Sequence, residues 1–346
     1  MIALLNMSES KKSNSDENTS GPEGPRDTTA YASPDSPVPS LEWHITDVCN
    51  YRCEYCCERQ FDPARPHEGM MPDDLVEKVL ETTARLPGKW HAKFASGEPT
   101  LHPRFIEAAG RLCEQGHQVA LTTNFSMNKD KQKKLVEECG ENLDFVTASL
   151  HLSQTDVESF TDRVLHFQSV KQPATGFSVN TVMLPENFEE LKNLYDELTE
   201  SGITVNFQVL KAEKGFREYS DEIEEYIKDK TVKSTGLLRN KNFYGRYCHT
   251  GELFFIIKPD GDCLRCYSQR ALWNYLGSIS DGSFARYDGP RPCLSPYCNC
   301  LLPANRGMIE YHTQSTFMER VSHMLREGAR GWRLELKNRR KGPRKK

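Results

Sequence analysis

Apolar and polar positions alternate with two different periods along the middle of the chain. Short runs that fit strands are LEWHIT (41–46), WHAKFA (90–95), QVALTT (118–123), FVTASLHL (145–152), GFSVNTVM (176–183) and TVNFQVL (204–210). Between them lie amphipathic stretches that fit helices. These are 72–86, with Leu75, Val79 and Leu86 near one face; 103–116, closed by Gly116; 129–140; Thr155 to Gln168; and 186–202. Repeated strand-then-helix units imply an α/β fold with a parallel sheet and right-handed crossovers. The pattern does not give the sheet order, so an open barrel and a doubly wound sheet both remain.

Period-two alternation also sorts the strand residues by face. Glu42, His44 and Thr46 share one face of the first strand, opposite Trp43 and Ile45. Thr147, Ser149 and His151 share a face of the fourth, and Asn206 and Gln208 a face of the sixth. Such polar faces suit a barrel interior that takes a polar substrate, although each residue alone also fits a satisfied structural group. His44 and His151 are the candidates for substrate contact or proton transfer.

Beyond about residue 215 the pattern changes. Residues 221–235 read as a mostly polar helix, and 252–268 as a hairpin turning at Pro259-Asp260-Gly261-Asp262. The rest, to about 310, is loop-rich. Cys248, Cys263, Cys266, Cys293, Cys298 and Cys300 fall in this region, which reads as a small α+β unit held by a metal centre. The expected division is a disordered tail over 1–40, a core over 41–215, this cysteine-rich unit over 216–310, and a C-terminal helix and basic tail over 311–346. The first forty residues are rich in Ser, Pro, Asp and Glu and lack an apolar period, so they cannot offset their chain entropy.

Composition narrows the classes. A net charge of -4 argues against a generally nucleic-acid-binding surface, and the closing KNRRKGPRKK reads as a solvated tail. No run of eighteen apolar residues predicts a membrane span, and MIALLNMSESKKS lacks the basic start of a signal peptide. A cytoplasmic protein is the expectation, and its 12 cysteines should then be reduced or metal-bound.

Cys49, Cys53 and Cys56 directly follow the first strand with the spacing Cys-x3-Cys-x2-Cys. Three thiolates so placed can hold three irons of a cubane and leave the fourth free for a small molecule. A structural zinc site usually has four protein ligands instead. CNYRCEYC, with Tyr55 before the third cysteine, resembles the signature of the radical S-adenosylmethionine (SAM) superfamily. Ser96-Gly97-Glu98-Pro99 after the second strand resembles that family's Gly-Gly-Glu-Pro element, with Ser96 in place of a glycine. Thr123-Asn124, Ser149 and Asn180 follow in the family's order.

The resemblance implies a partial (β/α)6 barrel, a [4Fe-4S] cluster on Cys49, Cys53 and Cys56, and SAM chelated to its open iron. It further implies that Gly97 and Glu98 lie at the SAM ammonium, Ser149 at the ribose or methionine end, Asn180 at the polar rim and Tyr55 near the adenine. A small-molecule or peptide substrate and a flavodoxin- or ferredoxin-type electron donor are the implied partners. The fourth strand departs from the family by continuing Leu150-His151 where Leu-Asp-Gly is common.

Cys248, Gly261 and Cys266 form a Cys-x12-Gly-x4-Cys hairpin that resembles the opening of SPASM and twitch domains, which carry auxiliary iron–sulfur clusters. By that resemblance a second cluster would use Cys248, Cys266 and two of Cys293, Cys298 and Cys300, with Cys298 and Cys300 favoured. A structural zinc on the same residues is the alternative. Cys263 is left over, as a packing residue or as a thiol near substrate. The expected activity is hydrogen abstraction from an unactivated C–H bond, as an oxidation of a sugar-like or aminocyclitol-like metabolite. Epimerisation or crosslinking of a ribosomally made peptide is the alternative, and a zinc-stabilised binding protein the remote one.

Overall fold

The computed structural model describes residues 36–56, 69–212, 215–231, 242–267, 271–296, 298, 303 and 305–340. The strands are β1 (Ser40–Trp43), β2 (His91–Phe94), β3 (Gln118–Thr123), β4 (Leu143–Leu150), β5 (Gly176–Val182) and β6 (Val205–Gln208). Between them run α1 (Asp73–Ala84), α2 (Phe105–Glu114), α3 (Lys129–Cys139), α4 (Val157–Val170) and α5 (Phe188–Glu200). Each expected strand and helix of this region is present, with ends shifted by a few residues.

β1 to β6 lie side by side in sequence order, and every neighbouring pair is parallel. A doubly wound sheet would reverse its order partway. The strands therefore form an open, partial barrel.

One sheet face and the inner helix faces make the main core. Trp43, Ile45, Phe94, Leu121, Val146, Ala148 and Val179 meet Val76, Leu80, Phe105, Leu112, Leu135, Phe160 and Phe167 there. Trp43 stacks on Phe94 at 5.1 Å, and Phe94 meets Phe105 edge-on at 5.1 Å. Burying each such side chain contributes about 1.5–3 kcal/mol. The opposite sheet face carries the polar alternates Glu42, His44, Ser149, Asn180 and Asn206.

The 252–268 hairpin is present as β7 (Phe254–Ile257) and β8 (Asp262–Leu264), followed by β9 (Tyr275–Ser278). It adds to the barrel sheet itself. β7 runs parallel to β1, with Ser40 opposite Phe254 and Trp43 opposite Ile257, and β8 and β9 follow antiparallel. Being sheathed on both faces explains why β7 reads FFII without alternation. Phe255 and Ile257 join the main core, whereas Phe254 and Ile256 join a smaller one with Phe243, Cys248, Met308 and Ile309.

The expected helix over 221–235 is shorter, as α6 (Asp221–Ile227). The last helix, α7, spans Phe317–Arg340. The segments 1–35 and 341–346, which hold most of the expected tails, lie outside the described residues, as do Cys57 and Cys300.

Candidate functional site

The loop leaving β1 is held from two sides. Thr46 bridges to Met70, and Asp47 donates its backbone N–H to Gly69 O at 2.8 Å. From the turn after β2, Glu98 N–H donates to Val48 O at 2.7 Å and Ser96 Oγ to Asp47 Oδ1 at 3.1 Å. That turn needs left-handed backbone, with φ of +69° at Ser96 and +52° at Gly97. A Cβ at Gly97 would lie 2.5 Å from Val48 O and 2.8 Å from Thr46 O, so only glycine lets the turn approach the loop this closely.

Cys49, Cys53 and Cys56 hang from this loop, with Cys53 buried and the other two half-buried. Cys49 Sγ accepts from Tyr51 N–H at 3.4 Å and from the Asn124 amide at 3.8 Å. Burial, followed by the neighbouring Cys56 and Cys49 sulfurs, pushes the Cys53 thiol up to about 11. Burial also raises Cys49. Three thiols gathered on one short loop are a donor set whose charge, once ionised, a bound cation would offset. Among the described residues no three donors are gathered around one ion position. A cubane makes a different demand, because each thiolate binds its own iron. The set fits that group.

Glu98 is fully buried, and burial raises its pKa. Its Oε1 accepts from Thr100 N–H at 3.1 Å, Thr100 Oγ1 at 2.6 Å and Thr123 Oγ1 at 2.7 Å, and its Oε2 from Asn124 N–H at 2.6 Å. In this structure the carboxylate therefore clamps the ends of β2 and β3 together. It also sets Asn124, whose side-chain amide reaches Asn50 Oδ1 at 2.8 Å.

Ser149 and Asn180 sit opposite each other on β4 and β5. Asn180 Oδ1 accepts from Ser178 Oγ and from the Asn206 amide, each at 3.2 Å. Tyr55 and His151, read separately from the sequence, are partners: the hydroxyl lies 2.9 Å from His151 Nδ1. Burial lowers His151 to about 4 and raises the Tyr55 hydroxyl. His151 thus joins the cysteine loop to β4 through Tyr55, and its ring is held towards the neutral form. A cleft of about 170 Å³ lies beside Tyr55, lined also by Leu152, Thr181, Val182 and Leu191.

His44 lies in a network that the sequence did not reveal. Its Nε2 is 2.5 Å from the Tyr267 hydroxyl and 3.2 Å from Glu42 Oε1, and Lys258 Nζ donates to its Nδ1 at 2.8 Å. Tyr267 also donates to Glu42 Oε1 at 2.6 Å. Burial acts to raise Glu42, but Lys93, His44 and Tyr267 together bring it down to about 2. Lys93 could have been found from strand alternation on β2. Lys258 and Tyr267 could not, because the pairing of β7 with β1 brings them in.

Of the two places left open for Cys263, the geometry favours packing. It is fully buried in the main core opposite Ile257, on the helix side of the sheet. Glu42 and His44 lie on the other side, so this thiol does not reach the barrel mouth.

The second cysteine set is assembled from separate segments. Cys248, Cys266 and Cys293 come together: burial, then Cys248 and Cys266, push Cys293 up to about 12. Pairing of Tyr247–Cys248 with Arg291–Pro292 delivers Cys293. Cys298 packs on the same small core as Cys248 and Cys293. Of the three candidates to complete the group, Cys293 lies with Cys248 and Cys266, Cys298 shares their small core, and Cys300 lies outside the described residues.

The family model described as the Radical SAM superfamily matches residues 43–228. A curated relative from Pyrococcus furiosus, the tungsten-containing aldehyde ferredoxin oxidoreductase cofactor-modifying protein, is 27% identical over 176 residues, covering 47% of this chain. The chain spans about half that relative's length, 49%. A probable GTP 3',8-cyclase of Saccharolobus islandicus is 27% identical over 253 residues, covering 66% of this chain and 77% of its own. Among solved structures, native anSMEcpe with bound AdoMet matches with a TM-score of 0.50 at 16% identity, over 88% of this chain and 100% of its own, which is a likeness of fold. No helix among the described residues is long and apolar enough to cross a membrane.

Proposed function

This chain belongs to the radical SAM superfamily, and from that premise we propose that it reductively cleaves SAM and abstracts hydrogen from an unactivated C–H bond of a polar metabolite. The observation that carries this is the loop after β1, where three thiols and the backbone around Gly97 are locked together at the carboxyl ends of the strands.

Cys49, Cys53 and Cys56 are the residues that would hold the cluster. Cys248, Cys266 and Cys293, with Cys298 beside them, would hold a second one. A cluster on the first set would supply reducing power for cleaving SAM to methionine and 5'-deoxyadenosine, and one on the second would offer an acceptor for an electron from the oxidised substrate. A flavodoxin- or ferredoxin-type protein is the proposed donor.

The chain's own residues position and shield. Asn124 and the Tyr51 N–H orient Cys49. Ser149 and Asn180 present hydroxyl and amide groups in the lumen for the ribose or methionine end of SAM. The cleft beside Tyr55 offers apolar walls for the adenine. Further along the lumen, Glu42, His44, Lys93 and Lys258 supply charge and hydrogen bonds that suit a hydroxyl- or amine-bearing substrate. The 27% relatives named for a nucleotide cyclase and a cofactor-modifying protein favour a small molecule over a peptide.

The test is anaerobic incubation with SAM, a reductant and candidate polyols or amino sugars in deuterium oxide. Oxidation gives 5'-deoxyadenosine and a product lighter by two hydrogens, with no deuterium on carbon. A product that keeps all the substrate's atoms but carries one solvent deuterium on carbon identifies an epimerase instead. Iron analysis of the reconstituted protein should give about eight irons per chain if both sites hold cubanes.

A further inference from the structure

Arg265 is the preceding neighbour of Cys266 and is only 1% exposed. Its Nε and one terminal nitrogen donate to Thr250 Oγ1 at 3.3 and 3.2 Å. The other terminal nitrogen lies 3.1 Å from His323 Nε2 on α7, and the Tyr287 ring centre is 5.6 Å away. Arg291 stands over that same ring at 5.0 Å and is paired with Asp288. Thr250 Oγ1 in turn donates to Cys248 Sγ at 3.4 Å. Thus a hydroxyl links the guanidinium directly to the thiol set.

Among the described residues, no carboxylate is paired with Arg265; its partners are a hydroxyl, an imidazole and a phenol ring. A fully buried cation without a counter-charge costs several kcal/mol. The groups placed to supply that charge are the sulfurs of Cys248, which Thr250 links to the guanidinium, of Cys266, the next residue, and of Cys293, all of which favour the charged form of Arg265. A thiolate–metal centre is anionic, so the buried guanidinium and the thiol set answer each other's charge.

We propose that Arg265 is a positioning residue that sets a fixed positive charge beside an anionic iron–sulfur centre on Cys248, Cys266 and Cys293, and that this charge raises the centre's reduction potential. The inference rests on the reading of those thiols as cluster ligands. Adding one electron to the centre increases its negative charge by one, so a nearby cation favours the reduced form. The site is thereby biased towards accepting an electron.

The test uses the full chain with Cys49, Cys53 and Cys56 changed to alanine, so that any iron belongs to the C-terminal set. Its midpoint potential is read by spectroscopically monitored titration with Arg265, Arg265→Lys and Arg265→Gln. The glutamine variant should show at least a tenfold lower reduced-to-oxidised ratio at fixed potential, a negative shift of about 59 mV for one electron. The lysine variant keeps the charge and should recover most of that shift. Should the glutamine variant be insoluble, Thr250→Val is read in its place and should shift the midpoint in the same direction by less.

A midpoint unchanged by the neutral substitution, or lowered equally by lysine and glutamine, overturns the role of the charge while leaving the cluster intact. Zinc or no metal in the parent triple variant overturns the cluster reading, and the inference falls with it. Iron content and midpoint therefore separate the two failures.

Discussion

The two cysteine sets are built by opposite strategies. Cys49, Cys53 and Cys56 fall within eight residues on one loop, and neutral donors surround them: the Tyr51 N–H and the Asn124 amide. Cys248, Cys266 and Cys293 come from three separated segments joined by short ladders, with a buried guanidinium between them and α7. The first site is local and keeps two thiols half-open. The second exists only once the chain has folded, and it carries its own counter-charge. Proximity in sequence thus gives a site that one strand end can position. A dispersed set needs a second core, here that of Phe243, Phe254, Ile256, Met308 and Ile309.

The sharpest way to break this contrast is to remove the local set. Changing Cys49, Cys53 and Cys56 to alanine should reduce 5'-deoxyadenosine formation to background while far-ultraviolet circular dichroism stays native. Unchanged SAM cleavage in that variant would falsify the assignment.

Next in size is Gly97→Ala, which attacks the frame and leaves the thiols in place. A Cβ 2.5 Å from Val48 O, at φ of +52°, forces the loop away from the turn. The expected losses are about 2–4 kcal/mol of stability and at least tenfold in SAM cleavage on the order of that displacement. A urea melt and a cleavage assay check both. An equal effect on the iron content of the C-terminal set would show that the two sites are not independently framed.

A third test concerns the network between the sites, since Tyr267 follows Cys266 and reaches Glu42. Glu42 is held at about 2, below its ordinary value of 4.5. Its contribution to stability is therefore present above pH 4.5 and is lost as the pH falls towards 2. Glu42→Gln should cost about 2–3 kcal/mol at pH 7. Urea melts taken from pH 7 down to pH 3 should show the gap to the parent protein narrowing below about 4.5. A gap that stays constant with pH would mean that the loss is one of packing.

The smallest effect is expected from removing residues 1–35, which should leave SAM cleavage and melting temperature nearly unchanged. A large fall in either would show that this segment docks on one of the two sites.

Local order was legible from the pattern. Each of β1 to β6 and each helix between them follows from an apolar period that needs no distant partner. The first cysteine loop is equally local, as is the turn at Gly97. Glu98 was legible as a residue of the site, but not in its contacts, because Thr123 and Asn124 stand 25 and 26 residues away on the next strand. Strand alternation gave the faces of His44 and His151. It did not give their partners, and those partners decide that His151 braces a loop.

What the sequence determined by itself is therefore what short-range periodicity and spacing encode: a parallel α/β core, three thiols at the end of its first strand, and a glycine where a second turn must come close. What only the tertiary structure decided depends on register between distant segments. Pairing β7 with β1 placed Cys263 in the helix-side core and brought Lys258 and Tyr267 to His44, across 214 and 223 residues. Pairing Arg291 with Cys248 brought Cys293 beside Cys248 and Cys266, next to the buried Arg265. A one-residue slip in either ladder would turn each of these side chains to the opposite face, and no local pattern in the chain fixes which register wins.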